Sequence, residues 1–437
     1  MLMRARDRIG TLREREFSRL DATRSVYLDY TGAALYPESL VRRDARRLTC
    51  RVLGNPHAAS GPSMVSTDAM EEARRLTLAF VDADPASYDV VFCANASGAV
   101  RILAEAFPFR AGSRLVLTAD NHNSVNGLRV PARHRRADVA YVPLDDELRV
   151  ADPRRWLSAT SAPSLFAFPA QSNFSGVRHP LAWVGEAQRR GYRVLLDAAA
   201  FLPTARLSLA EVPADFVALS YYKLFGYPTG VGALIARRDA LTMLQRRYFA
   251  GGTVEFASVQ RLTAVAKAGG AAFEDGTPSF LAMPAVVDGL RWLTRIGLSD
   301  IEHHAADTTE ALLDRLESLG DRVIVHGPRG IGSRGGTVAF NVRRAGQVVP
   351  YDVVEDAARQ HGIAIRGGCF CNPGAAERAF RIPAASVRRC VRAARTTDAY
   401  RRCLGNSPVG ALRASIGIPT SLADLDALHD LLSRLTA

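Results

Sequence analysis

Short apolar runs alternate with helix-like segments between about residues 89 and 234. Each run spans four or five residues, which is too short for a buried helix. The runs occupy residues 90–93, 114–117, 139–142, 165–168 and 193–197. Apolar runs of this length, separated by helical stretches, indicate strands that are buried on both faces of a mainly parallel sheet. We therefore predict an α/β fold whose ligands bind near the carboxyl ends of the strands.

A second pattern begins after about residue 295. A long helix-like segment, 298–319, precedes four strand-like segments at 323–326, 336–340, 363–365 and 410–415. We predict a large domain at 51–295 and a smaller C-terminal α/β domain at 296–437. The first 50 residues form an N-terminal segment that is expected to pack on these domains, although the pattern does not say on which.

Composition and charge narrow the class of protein. The 437 residues are 48% hydrophobic and carry a net charge of +12. The arginines are scattered among acidic residues, and no nucleic-acid-binding motif accompanies them, so we do not expect nucleic acid as a ligand. Basic side chains instead favour an anionic cofactor and an acidic protein partner. The N-terminus has no continuous apolar stretch, so we expect a soluble, cytoplasmic protein without a membrane anchor.

Lysine is rare in this chain. Of 56 basic residues only Lys223 and Lys267 are lysines. An arginine cannot act as an amine nucleophile, whereas a lysine can condense with an aldehyde. Lys223 ends an apolar run before a Gly/Pro turn, and composition alone leaves a Schiff-base lysine for pyridoxal phosphate (PLP) and an ordinary surface lysine equally open. Lys267 lies on a helix-like segment and is interpreted as a solvated side chain.

The six cysteines fall into two groups. Four are interpreted as isolated buried or half-buried thiols: Cys50, Cys93, Cys390 and Cys403. Cys369 and Cys371 share the loop RGGCFCNPG at 366–374, which lacks the second ligand pair of a zinc site, so no metal is predicted and a reactive thiol is favoured. The glycines of this loop are expected to let it swing.

Other residues at strand ends suit the chemistry of PLP. Asp197 ends one strand and could keep a pyridinium nitrogen protonated, with capping of the next turn as the alternative. Ala96 and Ser97 begin a helix whose backbone NH groups could bind phosphate. His122 could stack on a ring and relay protons, although a lone histidine is more often structural.

Three further residues complete this set. The amides of Gln171 and Asn173 could bind a phenolic oxygen, and Ser220 could add a hydroxyl near Lys223. Neither assignment is secure without the others.

Several motifs resemble the class V aminotransferase-like PLP enzymes. They are YLDY at 27–30, GNPH at 54–57, ASG at 96–98, NH at 121–122, Asn173, Asp197, SYYK at 220–223 and CFCNPG at 369–374. Within that superfamily, FPAQSNFSG at 168–176, KLFGYPTG at 223–230, FEDGT at 273–277 and the cysteine loop are similar to the cysteine desulfurase domain of molybdenum cofactor sulfurases. Ser97 replaces a more usual threonine, and Ala376 stands where that family often has another cysteine.

The resemblance implies a fold type I homodimer with PLP at each active site. Lys223 would form the Schiff base, Asp197 would bind the ring nitrogen, His122 would stack on the ring and Asn173 would bind the phenolate. The remaining implied roles concern the phosphate and the substrate. Ala96, Ser97, Ser220 and Tyr222 would hold the phosphate, Thr277 would reach the neighbouring subunit's phosphate, and Arg413 would bind the substrate carboxylate.

The implied reaction converts L-cysteine to L-alanine and leaves a persulfide on Cys371, whose thiolate arginines including Arg366 would favour. The sulfur acceptor is not implied. Two alternatives remain open at this point. One is another class V PLP enzyme, such as an aminotransferase, racemase or lyase acting on a different amino acid, because fold and cofactor do not determine the reaction. The other is a non-catalytic sulfur-relay scaffold.

Overall fold

The computed structural model describes residues 2–405 and 407–436 of the chain, which form a seven-stranded mixed sheet, a five-stranded sheet and two two-stranded sheets, with helices packed on the larger two. The strands are β1 Val26–Tyr27, β2 Tyr88–Cys93, β3 Arg114–Thr118, β4 Asp138–Val142, β5 Ser164–Pro169, β6 Tyr192–Asp197, β7 Phe216–Ser220, β8 Gly232–Arg237, β9 Val254–Ser258, β10 Thr263–Ala266, β11 Val323–His326, β12 Thr337–Arg344, β13 Gln347–Val348, β14 Ile363–Ala364, β15 Arg366–Gly368 and β16 Ala411–Ser415. The helices are α1 Leu2–Glu16, α2 Arg19–Ala22, α3 Glu38–Cys50, α4 Gly61–Phe80, α5 Ala96–Ala106, α6 Asn123–Asn126, α7 Arg129–His134, α8 Trp183–Gln188, α9 Tyr221–Phe225, α10 Arg238–Thr242, α11 Met283–Ile296, α12 Leu298–Ser318, α13 Tyr351–Gln360, α14 Pro373–Ala379, α15 Ala384–Ala393, α16 Thr397–Cys403 and α17 Leu422–Thr436.

The larger sheet has seven strands in the order β2-β8-β7-β6-β5-β3-β4. β8 runs antiparallel to both of its neighbours, and the other adjacent pairs are parallel. Every strand except β8 therefore ends at the same edge. The five predicted strands are confirmed at these positions, and all six residues of β5 are buried. An uninterrupted apolar strand is stable only when both faces of the sheet are covered, which is what the two core clusters on either side provide.

The smaller sheet is mainly antiparallel, in the order β11-β12-β16-β15, with β13 added on β12. Residues of α12, α13 and α17 pack on it in a separate apolar cluster. The long helix predicted at 298–319 is observed as α12. The elements follow the predicted order, and the exact division of the chain into three parts stays a prediction.

The N-terminal segment contacts helices and strands in both parts of the molecule. β1 pairs in parallel with β14 of the C-terminal region, and Arg13 forms an ion pair of 2.6 Å with Asp424. The ring of Phe17 packs edge-on against Trp292 of α11 at 6.2 Å. This segment therefore bridges the two parts of the molecule.

Three sequence interpretations need correction. Cys390 and Cys403 are not isolated thiols, because they form a disulfide that joins α15 to α16. Cys50 is exposed rather than buried. Lys267 follows β10 in an exposed hairpin, not a helix: small residues such as Ala264 and Ala266 fit either conformation, and pairing with β9 decides between them. Within the described residues, every helix is too short or too polar to cross a lipid bilayer.

Candidate active site

A cavity opens at the edge where the parallel strands end. Its lining residues come from the loops and helix starts that follow β2, β3, β5, β6 and β7. They are Asn95, Ala96, Ser97, Val100, His122, Ser124, Pro169, Gln171, Asn173, Asp197, Ala199, Ala200, Ser220, Tyr222 and Lys223. Sequence analysis predicts that the candidate site residues follow the ends of strands, and the parallel arrangement of the strands brings these ends together.

The first turn of α5 forms one wall of the cavity. The side chain of Asn95 caps this helix by accepting a hydrogen bond of 3.0 Å from the Gly98 amide. The Ala96 amide donates to Ser220 Oγ at 2.8 Å, and the hydroxyls of Ser97 and Ser124 lie 2.5 Å apart. A helix N-terminus flanked by hydroxyl groups is suited to a phosphate, because its amides and its dipole both attract negative charge.

Lys223 lies on the opposite wall, in the short helix α9 that begins where β7 ends. Its amine is enclosed by protein and faces the cavity. Burial lowers the pKa of Lys223; the carboxylate of Asp197 opposes this effect, and the cations of Arg413 and Arg366 add to it. A lysine with a lowered pKa has more of the neutral amine, which is the nucleophilic form.

The turn after Lys223 requires a glycine. Gly226 has φ of +77°, and a Cβ at this position would lie 2.4 Å from the backbone nitrogen of Tyr36. Glycine adopts this left-handed conformation without steric cost. It thereby lets the N-terminal segment pack directly behind the lysine helix.

Asp197 and His122 supply the other titratable groups. One oxygen of Asp197 accepts a hydrogen bond of 3.0 Å from the Ala199 amide. Nδ1 of His122 accepts from the Ser124 amide at 3.1 Å, and burial lowers the pKa of His122. The imidazole is therefore neutral near pH 7, and its proton is assigned to Nε2 because Nδ1 is an acceptor.

Arg413 lies behind the cavity, on β16 of the smaller sheet. Its side chain is buried, with one guanidinium nitrogen donating to the carbonyl of Asn173 at 3.0 Å and another to Asp29 at 2.8 Å. The same carboxylate accepts from Arg366 at 2.6 Å. Nε of Arg413 is buried without a hydrogen-bond partner in the part of the chain that the structure describes. Arg366, expected to act on Cys371, is thus paired with Asp29.

The cysteine loop is docked on the strand-end loops of the large sheet. The amide of Asn123 donates to the carbonyl of Cys371 at 2.7 Å, and the side chain of Asn173 donates to the carbonyl of Phe370, also at 2.7 Å. The buried side chain of Asn372 donates to the carbonyl of Asp120 at 2.6 Å. The thiol of Cys371 is exposed. Both Phe370 and Cys371 have positive φ, so the chain turns sharply between the two cysteines.

Gly374 does not give the cysteine loop the mobility that was expected of its glycines. A Cβ on Gly374 would lie 2.0 Å from the carbonyl oxygen of Ala119. Glycine is needed here for close backbone contact, and this contact holds the loop against the large sheet. The idea that Gly374 frees the loop is therefore wrong.

Some candidates lie outside the cavity lining. Thr277 is exposed and accepts a hydrogen bond of 3.3 Å from Asn55. Arg413 and Cys371 border the site from the C-terminal region without lining the cavity itself. Sequence analysis predicts no role for four residues that shape the site: Asn95, Ser124, Asp29 and Asn372. A polar residue just before a helix start, as in Asn95 and the Asn-Pro pair at 372–373, is the signal that predicts such caps.

This fold and site define a member of a known family. The family model for class V aminotransferases matches residues 26–428, so the chain belongs to the class V aminotransferase family. It is 35% identical to a molybdenum cofactor sulfurase of Bos taurus over 97% of this chain and 51% of the relative, and 33% identical to that of Arabidopsis thaliana over 97% and 57%. The chain spans about half the length of the curated relatives it matches.

A solved structure supports the fold. The chain superimposes on an apo cysteine desulfurase from Thermococcus onnurineus NA1 with a TM-score of 0.81 and 24% identity, covering 98% of this chain and 97% of the other. This similarity confirms the predicted α/β fold.

The residues present fit PLP. The cavity offers a buried amine on Lys223, a carboxylate on Asp197 and a hydroxyl-rich helix start at Ser97. These are the partners that an aldehyde, a pyridinium nitrogen and a phosphate require. Ala199 and Ala200 leave room beside them for a flat ring. The cofactor of this family is therefore matched by the chemistry of the site.

Proposed function

We propose that this chain is a PLP-dependent cysteine desulfurase, which converts L-cysteine to L-alanine and carries the removed sulfur as a persulfide on Cys371. The observation that carries the proposal is that the cysteine loop is docked on the same strand-end loops that line the Lys223 cavity. A class V enzyme without sulfur chemistry has no need of an exposed thiol there. The names of the relatives and the fold of the desulfurase support the same reaction.

When bound, PLP would supply an electron sink for the substrate carbon next to the amino group. Lys223 would hold the cofactor covalently and, once released, its amine would remove a proton from the substrate. Asp197 would keep the ring nitrogen protonated. The start of α5, with Ser97, Ser220 and Tyr222, would bind the phosphate.

His122 and Asn173 would orient the ring. Nε2 of His122 carries the proton of the neutral imidazole and could donate it. One hydrogen of the Asn173 amide is already donated to Phe370, which leaves the other for the phenolic oxygen. Arg413, held by Asp29, would bind the substrate carboxylate with its unpartnered Nε.

Cys371 would then attack the substrate sulfur as a thiolate. The carbon–sulfur bond breaks, its electron pair stays with the carbon, and a proton completes alanine. The sulfur remains on Cys371 as the terminal atom of a persulfide. No external oxidant or reductant is consumed in this half of the reaction.

Two alanine variants test this assignment. Cys371→Ala should abolish alanine formation from cysteine, whereas Cys369→Ala should retain at least part of it. Mass spectrometry should locate the extra sulfur on the peptide that contains Cys371. Alanine formation at the normal rate in Cys371→Ala would rule out the nucleophile, and pyruvate or a keto acid as the product would favour another class V reaction.

The cofactor assignment has its own test. The purified protein should be yellow, borohydride should fix the cofactor on the peptide that contains Lys223, and Lys223→Ala should lack this adduct. A colourless protein that binds no added PLP would favour the non-catalytic scaffold.

A homodimer is part of the proposal. The β9–β10 hairpin exposes large apolar side chains, including Val259 and Leu262, each 90% exposed. Such a patch favours burial against another chain. The exposed Thr277 would then be free to reach the partner's phosphate. Light scattering should give twice the chain mass, and a monomer with full activity would contradict this point.

We also propose a cytoplasmic location, because the free thiols of Cys369 and Cys371 need a reducing compartment. Disulfides are rare there, so the Cys390–Cys403 pair should be reduced in the cell. Alkylation of thiols in intact cells, followed by mass spectrometry, tests this. A Cys390–Cys403 pair that is fully oxidised in the cell would argue for another location.

A further inference from the structure

The helix α15 carries arginines that have no acidic partner. Arg388, Arg389 and Arg392 on this helix, and Arg395 just after it, are exposed, and among the described residues none of them forms an ion pair. We call these four residues the arginine face. Exposed arginines elsewhere are often paired, as Arg378 is with Asp146 at 3.0 Å.

The arginine face lies on a helix that packs against α16 and has one buried residue, Cys390. Cys390 lies on the opposite side of α15, is fully buried and is joined to Cys403 of α16.

A cavity of about 590 Å³ lies beside the arginine face and extends to the cysteine loop. Its lining includes Arg395, Cys369, Gly368, Tyr351 and Tyr400. It shares no lining residue with the cavity that contains Lys223. A molecule seated at α15 can therefore approach the cysteine loop without entering the cofactor site.

We propose that the arginine face is the docking surface for an acidic protein that takes up the sulfur; this inference rests on the desulfurase function proposed above. Arg388 and Arg392 are one turn apart on α15, about 6 Å along its axis, and Arg395 lies beyond the end of the helix, so the arginine face is wider than one phosphate. Glu377 lines the cavity and Asp398 lies exposed on α16, so the carboxylates of a partner would lie along the arginines and away from these two acidic groups. A protein surface with spaced carboxylates fits this arrangement.

Sulfur would pass from the cysteine persulfide to the partner by thiol exchange. A thiolate of the partner attacks the terminal sulfur of the protein persulfide, and a new sulfur–sulfur bond forms on the partner. The bond between that sulfur and the cysteine Sγ breaks, and the cysteine leaves as a thiolate. No other reactant is needed.

The test compares binding of two synthetic peptides by fluorescence anisotropy. One 20-residue peptide is rich in Asp and Glu, the other has Asn and Gln at the same positions, and each contains one cysteine. The triple variant R388E/R389E/R392E is compared with the control R51E/R110E/R344E, whose three exposed arginines lie elsewhere and whose net charge changes equally. R388K/R389K/R392K keeps the charge.

We expect wild type to bind the acidic peptide at least about fivefold more tightly than the neutral one, less so at high salt. The control and the lysine variant should keep this preference, and R388E/R389E/R392E should lose it. Equal preference in both charge-reversed variants would overturn the proposal. So would displacement of the acidic peptide by millimolar inorganic phosphate at constant ionic strength, or more strongly by an equally charged oligonucleotide.

The proposed function is measured separately in the same proteins. Alanine formation from cysteine, with dithiothreitol as the sulfur acceptor, should be unchanged by R388E/R389E/R392E, because no arginine of this face lines the Lys223 cavity. Absence of alanine in wild type would defeat the desulfurase proposal and leave the binding result intact. PLP absorbance and thermal unfolding check that each variant is folded.

Discussion

Gly374→Ala is expected to separate cofactor binding from sulfur chemistry. The new Cβ would lie 2.0 Å from the carbonyl oxygen of Ala119, whereas real Cβ contacts stay above 3.0 Å. The loop must therefore move away by about 1 Å, and a misplacement of this size can cost about 100-fold in rate. The hydrogen bonds to the carbonyls of Phe370 and Cys371 would lengthen together. Lys223 lies on α9, outside this loop, and should be unaffected.

The assay measures alanine formation per PLP bound. Gly330→Ala is the matched control, because a Cβ there meets no atom within 4 Å and the backbone is not left-handed. We expect Gly374→Ala to keep the PLP absorbance of wild type and to lose up to about 100-fold in turnover, while Gly330→Ala keeps both. Wild-type turnover in Gly374→Ala, with the protein folded, would show that the docked position of the loop is not the catalytic one.

Three further predictions concern stability. Asp29→Ala leaves the buried Arg413 without its carboxylate and should lower the free energy of unfolding by about 3 kcal/mol, measured in urea. The same change at Asp68, which is exposed on α4, should alter it by less than about 0.5 kcal/mol, and equal results would contradict the role of Asp29. Burial lowers the pKa of His122 below 6.5, so as the pH falls the unfolded chain takes up this proton before the folded chain does, and the free energy of unfolding decreases below pH 6.5. His122→Gln should therefore lose less free energy of unfolding than wild type between about pH 7.5 and about pH 5, and an identical loss would refute this. Cys403→Ser removes the disulfide between α15 and α16 and should lower the free energy of unfolding by up to about 3 kcal/mol, and dithiothreitol should lower that of wild type to the same value. If neither the substitution nor dithiothreitol has an effect, the disulfide does not form.

The strands of the large sheet could be predicted because their signal is local. The run at 165–168 is apolar at every position, which is stable only in a strand covered on both faces, and it lies within β5. Residues that follow such strands, including His122 and Asp197, could then be placed at one edge. The hairpin around Lys267 could not, because its small residues carry no periodic signal and its conformation depends on pairing between β9 and β10.

Contacts between distant parts of the chain could not be predicted from the sequence. Asp29 lies 384 residues before Arg413, and its role appears only when β1 and β16 are adjacent. The spacing of Cys390 and Cys403 does not reveal their pairing, since two separate thiols would fit the same pattern. The docking of Gly374 on Ala119 is likewise a property of the assembled fold.

The position of Asp29 has a consequence for deletion experiments. A polypeptide started at residue 31 would retain the whole seven-stranded sheet, Lys223 and both loop cysteines. It would lack the one carboxylate that neutralises Arg413 and Arg366 together. Such a truncated protein should still turn yellow with added PLP but bind the carboxylate of its substrate poorly, so colour alone is an unsafe criterion for choosing where to truncate.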